Sequence, residues 1–168
     1  QLLIGEIELR SGRAANAYEV MLDAARRQGD EALYQRAVEI ALQARAGEQA
    51  LSAVQAWRRA KPQSVAPLRY QTQILIALNR YQDLADPIAA WLALAEGSER
   101  PGLIGSLPRL LQRLPDRADA LATGERLLAP YREQPATRTA SRVALGQLMQ
   151  AAGRGADALA LARQAAAD

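Results

Sequence analysis

The feature that most constrains this fold is a pattern that recurs every 34 residues around two tryptophans. Trp57 and Trp91 lie 34 residues apart, and apolar residues precede both at the same two distances: Ala50 and Val54, and Leu84 and Ile88. Two further copies of the pattern are Ala17, Met21 and Ala24, and Ala158, Ala162 and Ala165. Contact positions spaced by four and then three residues form the inner stripe of an amphipathic helix. Their recurrence at this period predicts stacked helical hairpins.

The composition also favours helices. Apolar residues make up 49% of the 168 residues, and alanine and leucine dominate them, while phenylalanine is absent and aromatics reach only 4%. Alanine and leucine are the best apolar helix formers. β-Branched residues are few and do not alternate over the length of a strand. We therefore expect an all-α fold with almost no sheet.

The charge is spread evenly along the chain. The net charge is +3, from 21 basic and 18 acidic residues. Residues 1–84 carry 11 basic and 9 acidic residues, and residues 85–168 carry 10 and 9. A nucleic-acid-binding protein should show a clustered basic patch. A solvated charged surface is therefore favoured, and weak nucleic-acid binding through arginines remains an alternative.

Residues suited to catalysis are scarce. The chain has no cysteine and no histidine, which excludes disulfides, thiol chemistry, the usual zinc sites and histidine-based acid–base catalysis. The nearest carboxylate pairs are Asp83 and Asp86, Asp116 and Asp119, and Glu96 and Glu99. All lie at expected helix ends, where acidic residues serve as caps and dipole partners. We predict that the protein is not an enzyme, and the sequence implies no cofactor and no metal.

The two ends of the sequence carry apolar residues. No apolar run approaches the roughly 18 residues of a membrane span. No signal peptide and no initiator methionine are visible, so we expect an internal piece or a processed product. The chain opens with Leu2, Leu3 and Ile4, and no polar helix follows residues 158–162. Since solenoids need polar outer faces at their ends, we expect a fragment of a longer array or end-to-end self-association.

The pattern predicts about ten helices in five antiparallel pairs. The expected helices cover residues 2–10, 14–28, 31–44, 48–60, 67–78, 81–95, 103–114, 117–128, 136–152 and 156–167. Gly12 should turn the first pair, and Asp30 should cap the next helix. Pro87 should kink the sixth helix. Residues 97–101 should form a break, and Pro108 should follow a cap at Ser106 or else kink its helix.

At these positions the chain resembles the tetratricopeptide repeat (TPR) family. The matching residues are Ile4-Gly5, Gly12, Ala17, Met21 and Ala24; Ala50, Val54, Trp57 and Pro62; Tyr81, Leu84, Ile88 and Trp91; and Leu145-Gly146, Gly153, Ala158, Ala162 and Ala165. Ala37-Val38 replaces the usual leucine-glycine pair. The resemblance implies one right-handed α-α superhelix over residues 1–168. Its regular repeats would cover about 1–30, 31–64, 65–97 and 136–168, with a degenerate helix pair at about 98–133.

Small residues in this signature have a packing purpose. Helices that cross 8–10 Å apart need small side chains at the closest approach. We expect Ala17, Ala50 and Ala158 to make these contacts, against Gly5 and Gly146 on the partner helices. Because the two tryptophans hold one equivalent stripe position, we expect both to pack in the core or between repeats rather than form an aromatic cage.

The opening stretch, residues 2–64, resembles the N-terminal part of a family of TPR lipoproteins from Gram-negative bacteria. The likeness covers residues 2–97 well and the remainder loosely. It implies an outer-membrane-associated or periplasmic adaptor, with one branch engaging a carboxyl-terminal processing protease; a cytoplasmic location is not excluded. This chain lacks the lipidated cysteine of that family, so lipid anchoring is implied only for a longer parent.

The resemblance places a candidate binding groove on the first helices of the repeats. The groove positions are Glu6, Leu9, Gln35, Glu39, Leu42, Arg69, Gln73, Ile76, Gln147 and Gln150, with Leu2 and Val143 beside them. Repeated carboxylates and amides can hydrogen-bond the backbone of an extended peptide, and the leucines supply apolar pockets. We expect a protein-interaction scaffold that takes a peptide or protein partner. The lysines and asparagines that clamp a terminal carboxylate in chaperone-binding TPR domains are absent.

Overall fold

The computed structural model describes residues 2–167, with side-chain environments from residue 12 onward, and all regular secondary structure in this part of the chain is helical. Nine α-helices cover most of it: α1 (Leu2–Gln28), α2 (Glu31–Gln43), α3 (Gly47–Ala60), α4 (Ala66–Ala77), α5 (Ala85–Leu94), α6 (Glu99–Leu111), α7 (Arg117–Leu128), α8 (Arg138–Ala151) and α9 (Gly155–Ala167). Two short 3₁₀ segments lie at Tyr81–Asp83 and Ala129–Tyr131. The predicted all-α fold class is confirmed, and the predicted ten helices become nine.

The chain divides into two compact units, residues 1–80 and 81–168. In the first unit, α1 packs on α2, α2 on α3, and α3 on α4. Trp57, near the end of α3, donates a hydrogen bond to Glu31 at the start of α2, so these two helices run antiparallel. The fully buried side chains here include Val38, Trp57, Leu68 and Leu75.

The second unit is organised around α8, which packs against α6, α7 and α9. Its core is built from leucine and isoleucine, and its largest fully buried side chains are Leu84, Ile88, Leu92, Ile104, Leu107, Leu111, Leu128 and Leu145. Three of them lie on α6, in the segment that the repeat pattern describes as degenerate. The loss of the signature there therefore leaves the apolar stripe intact.

The prediction of a turn at Gly12 is wrong, because α1 continues unbroken through residues 11–13. Gly12 is not among the glycines with positive φ, which are Gly29, Gly97 and Gly153. A glycine inside a helix costs only about 1 kcal/mol relative to alanine. The strong helix formers on either side offset that cost, so a single glycine without a proline does not end the helix.

The stripe assigned to this first helix is also out of register by one residue. Ala17 is exposed, whereas Tyr18, Leu22 and Ala25 are buried. These three match Ala50, Val54 and Trp57 at a spacing of 32 residues, whereas Ala17, Met21 and Ala24 precede the same residues by 33. Size gives a physical reason at the first position, because tyrosine buries far more apolar area than the alanine beside it, and the other two positions follow at helical spacing.

Pro87 does not lie where expected, and of the two alternatives for Pro108 the structure has it inside its helix rather than after a cap at Ser106. Residues 81–95 form the 3₁₀ segment followed by α5, so Pro87 lies in the first turn of α5, where the missing N–H costs nothing. Pro108 lies inside α6, which begins at Glu99. Ser106 is therefore not a cap, and its hydroxyl instead donates to the carbonyl of Leu103 at 2.7 Å.

Several predicted helix ends elsewhere are confirmed, but the break expected at residues 97–101 ends before Glu99, where α6 begins, and α6 ends at Leu111 rather than Leu114. Asp30 caps α2 by accepting a hydrogen bond from the Ala32 amide at 2.9 Å. Asn79 takes a positive φ of 58° after α4, and Gly153 takes 77° between α8 and α9. The bounds of α7 match the expected 117–128, and Asp116 is its N-cap.

Close helix packing occurs at a different glycine from the one predicted. A Cβ added to Gly146 would meet nothing within 4 Å, but one added to Gly124 would overlap Leu148 of α8. Ala50 and Ala158 are buried as expected, while Ala162 and Ala165 are exposed and Leu161 is buried instead. Gly5 lies outside the described side chains. Gly124 therefore lies against the Leu148 side chain of α8.

Candidate interaction surface

A polar cluster links α2 to α4 in the first unit. The amide of Gln35 donates to Glu39 Oε1 at 3.1 Å and to the hydroxyl oxygen of Tyr70 at 3.4 Å. The Tyr70 hydroxyl in turn donates to the same Glu39 oxygen at 3.5 Å. All three side chains are half-buried. Two predicted groove residues thus bond to each other one turn apart on α2, and Tyr70 on α4, which sequence reasoning missed, bonds to both.

The other predicted positions on these two helices surround the cluster with mixed chemistry. Leu42 is 39% exposed, Arg69 and Gln73 are exposed, and Ile76 is half-buried. Arg36 adds a second cation, with its Nη1 3.4 Å from Glu39 Oε2. The surface therefore offers hydrogen-bond donors and acceptors beside the exposed aliphatic side chain of Leu42.

Trp57 is buried beneath this surface and packs against Tyr70. Its side chain is only 1% exposed, and its indole N–H donates to Glu31 Oε1 at 2.9 Å. Its ring centroid lies 5.8 Å from that of Tyr70, with the planes tilted by 45°. This geometry is typical of a favourable aromatic pair. The prediction that Trp57 packs in the core is confirmed, and the contact fixes the position of Tyr70.

Trp91 differs from its counterpart in the repeat pattern. It is half-buried, and its indole N–H donates to Glu99 Oε1 at 3.1 Å. Leu92, the next residue, is fully buried. On α5 the buried position is therefore Leu92 rather than Trp91. Trp91 contributes less to the core than Trp57, although the repeat pattern gives the two tryptophans equivalent positions.

Glu31 is a titratable group in the first unit whose pKa the fold lowers. Its pKa is lowered from 4.5 because the carboxylate accepts hydrogen bonds from Ser64 and Trp57, with a smaller attraction from Lys61. A lowered folded-state pKa means that the carboxylate stabilises the fold when it is ionised. That stabilisation is complete above about pH 4.5 and is lost as the pH falls through the lowered folded-state value.

Substituting Glu31→Gln should therefore remove part of the pH dependence of stability. At neutral pH we expect the variant to lose about 1 kcal/mol of unfolding free energy, since charge-assisted hydrogen bonds become neutral ones. In acid the wild-type carboxylate is protonated too, and the gap between the two proteins should close. Urea unfolding at a series of pH values measures this, with Glu133→Gln, an exposed carboxylate, as the control. Parallel curves for wild type and Glu31→Gln would contradict the assignment.

The remaining predicted groove residues lie on α1 and α8. Glu6 and Leu9 lie on α1, outside the described side chains. Gln147 and Gln150 are exposed on α8 in the second unit, where they line a cleft of about 330 Å³ between α8 and α9. Val143, in the same cleft, is 55% exposed, and Leu159 on α9 is 52% exposed. The end-to-end association that these exposed side chains suggest stays a prediction.

A larger cleft, missed by sequence reasoning, lies between α1, the end of α2 and the start of α3. Its volume is about 630 Å³, and alanines form much of its lining. The hydroxyl of Tyr18 donates to the backbone oxygen of Gln49 at 2.9 Å. Burial raises the pKa of Tyr18, and the nearby Glu19 adds to the rise. Since Tyr18 holds α1 to α3, we regard its role as structural.

Carboxylates from the pairs considered for catalysis lie at helix N-termini, as a cap or in the first turn. Asp116 accepts a hydrogen bond from the Ala118 amide at 2.8 Å as the N-cap of α7, and Asp119 lies in the first turn. Asp86 and Glu99 lie in the first turns of α5 and α6. Among the residues that the structure describes, no group of acidic side chains is arranged to hold a metal ion.

Comparisons with protein-family models, curated proteins and solved structures found no match to this chain. Within residues 2–167, no helix is both long enough and apolar enough to cross a membrane.

Proposed function

We propose that this chain is a non-catalytic interaction scaffold that binds an extended peptide or a partner protein along α2 and α4. The observation that carries the proposal is the Gln35–Tyr70–Glu39 hydrogen-bond network with exposed Leu42 nearby on α2. The network holds an amide and a carboxylate in fixed positions. Groups held in place in this way lose little conformational entropy when a partner binds.

The network is suited to the backbone of a peptide. Glu39 and Gln35 retain acceptor capacity for backbone N–H groups, and the exposed amide of Gln73 can both donate and accept. Leu42 and the half-buried Ile76 offer apolar contact for alternate side chains of the peptide. The polar groups would fix the register of the peptide, and the apolar ones would contribute affinity.

A TPR-like superhelix and an adaptor role, which the TPR resemblance implies, are part of the same proposal. Helices α2 and α3, and likewise α8 and α9, are joined by tight turns at Arg45 and Gly153, both with positive φ. Such hairpins are the building unit of a TPR-like superhelix. A role as a periplasmic or outer-membrane-associated protease adaptor follows from the resemblance alone.

A charge reversal at Glu39 tests the proposed surface. Peptides selected from a displayed random library against the wild-type chain serve as probes, and their affinities are measured by fluorescence anisotropy. We expect Glu39→Lys to weaken binding at least about tenfold, because it removes the acceptor and breaks the network with Gln35 and Tyr70. Tyr70→Phe, which removes only the hydroxyl, should weaken binding by a smaller factor.

The matched control is Glu133→Lys, which makes the same charge change at an exposed residue of the second unit. It should leave the affinity of the selected peptides unchanged. Far-ultraviolet circular dichroism confirms that each variant keeps its helices. If Glu39→Lys folds and binds every selected peptide as wild type does, α2 and α4 are not the binding surface.

A further inference from the structure

A cleft in the second unit is lined by basic and neutral side chains only. It lies between the end of α6, the start of α7 and α8, and its volume is about 470 Å³. Arg109 and Arg117 carry the charge, Gln112 and Gln147 supply amides, and Ala120 and Leu148 are buried at its wall. The sequence does not reveal this basic cleft, because charge is spread evenly along the chain and the two arginines come from different helices.

The structure holds one of these guanidinium groups in place. Arg117 Nη1 donates to the backbone oxygen of Gln112 at 3.3 Å, which ties the side chain across the turn between α6 and α7. A guanidinium has five N–H donors, so this bond leaves most of them available. Fixing the side chain before binding reduces the entropy lost when an anion binds.

Neither arginine is neutralised by an acidic side chain in the described part of the chain. Arg109 is exposed and makes no ion pair or side-chain hydrogen bond with residues 12–167. Asp116, the acidic residue beside Arg117, accepts a hydrogen bond from the Ala118 amide as the cap of α7. Two positive charges at one cleft repel each other, and an anionic partner would relieve that repulsion.

We propose that this cleft binds an acidic peptide segment, with Arg109 and Arg117 contacting a side-chain carboxylate. Planar guanidinium groups match carboxylates with paired, charge-assisted hydrogen bonds. The amides of Gln112 and Gln147 would bond the peptide backbone, and the wall of Ala120 and Leu148 would contact aliphatic carbon. The inference rests on the proposed scaffold role and names the chemistry of a partner for the second unit.

The test compares two labelled peptides by fluorescence anisotropy at low salt. One contains glutamates among alanines and leucines; the other has glutamine at each glutamate, and both are amidated at the C-terminus. We expect the glutamate peptide to bind about tenfold more tightly, with the difference shrinking as salt is raised. The double variant Arg109→Gln/Arg117→Gln should bind both peptides equally. The control Arg132→Gln/Arg163→Gln, with the same charge change elsewhere in the unit, should behave as wild type.

Several results would overturn the inference. They are no binding of the glutamate peptide, equal affinity for both peptides, and a glutamate preference that survives in the Arg109/Arg117 variant. A single-stranded oligonucleotide that outcompetes the peptide and depends on these arginines would indicate phosphate recognition instead. A preference restored only by a free C-terminal carboxylate would indicate terminal recognition. If library peptides still depend on Glu39 while the arginines have no effect, the scaffold proposal stands and this inference alone fails.

Discussion

Replacing Trp57 with alanine is expected to lower the free energy of unfolding by about 3–5 kcal/mol, the usual cost of removing a fully buried tryptophan. The side chain is 1% exposed, so its removal leaves a cavity between α2, α3 and α4. It also removes one of the hydrogen bonds of Glu31 and the aromatic partner of Tyr70. Urea unfolding followed by far-ultraviolet circular dichroism measures the loss.

Trp91→Ala is the matched control, since the repeat pattern places both tryptophans at one equivalent position. Trp91 is only half-buried, so we expect its replacement to cost about 1–2 kcal/mol, a typical value for a partly exposed side chain. If the two variants lost equal free energy of unfolding, tryptophans at equivalent positions of the 34-residue pattern would contribute equally to stability. That result would contradict the difference in burial described here.

The second large effect is expected at Gly124, where a large side chain would overlap the Leu148 side chain of α8. A Cβ at this position overlaps Leu148, and Leu111 is the next nearest side chain at 3.6 Å. Gly124→Leu should therefore lower the free energy of unfolding by about 1–3 kcal/mol, because overpacking a closed helix contact forces the helices apart. The measurement is urea unfolding under the same conditions.

Gly105→Leu provides the control on a neighbouring helix. Gly105 lies within α6, is exposed, and has no atom within 4 Å of an added Cβ. Leucine is the better helix former, so this variant should gain about 0.5–1 kcal/mol. The two substitutions thus have opposite expected signs. A stabilised Gly124→Leu variant would show that α7 and α8 do not approach closely at this glycine.

The helices were largely predictable because their signals are local. Asp30 caps α2 and Asp116 caps α7, and each satisfies an orphan amide through its own side chain. Asn79 accepts the positive φ that ends α4. These effects depend on a few neighbouring residues and therefore appear in the sequence. The interpretation of Gly12 as a turn was wrong because the preferences of the surrounding residues outweighed that of one glycine.

The candidate surface was only partly predictable. Gln35 and Glu39 were identified from their places in the repeat, and the structure brings them together. Tyr70, the residue that joins them, lies next to the predicted Arg69. A difference of one residue turns a helical side chain by about 100°, since an α-helix has 3.6 residues per turn. Small errors of register therefore decide which side chain reaches the neighbouring helix, as they also did at Ala17 and Tyr18.

The sequence by itself determined that this protein is helical, where most of its helices begin and end, and that Trp57 is buried. These properties follow from propensity, capping and the spacing of apolar residues, all of which act within one helix. Only the tertiary structure decided that Gly124 is a close-packing site, that Tyr70 completes the Gln35–Glu39 network, and that Arg109 and Arg117 share a cleft. Each of these depends on the distance and rotation between two helices. Side-chain packing between the helices sets that distance and rotation, and the spacing of residues along the sequence does not.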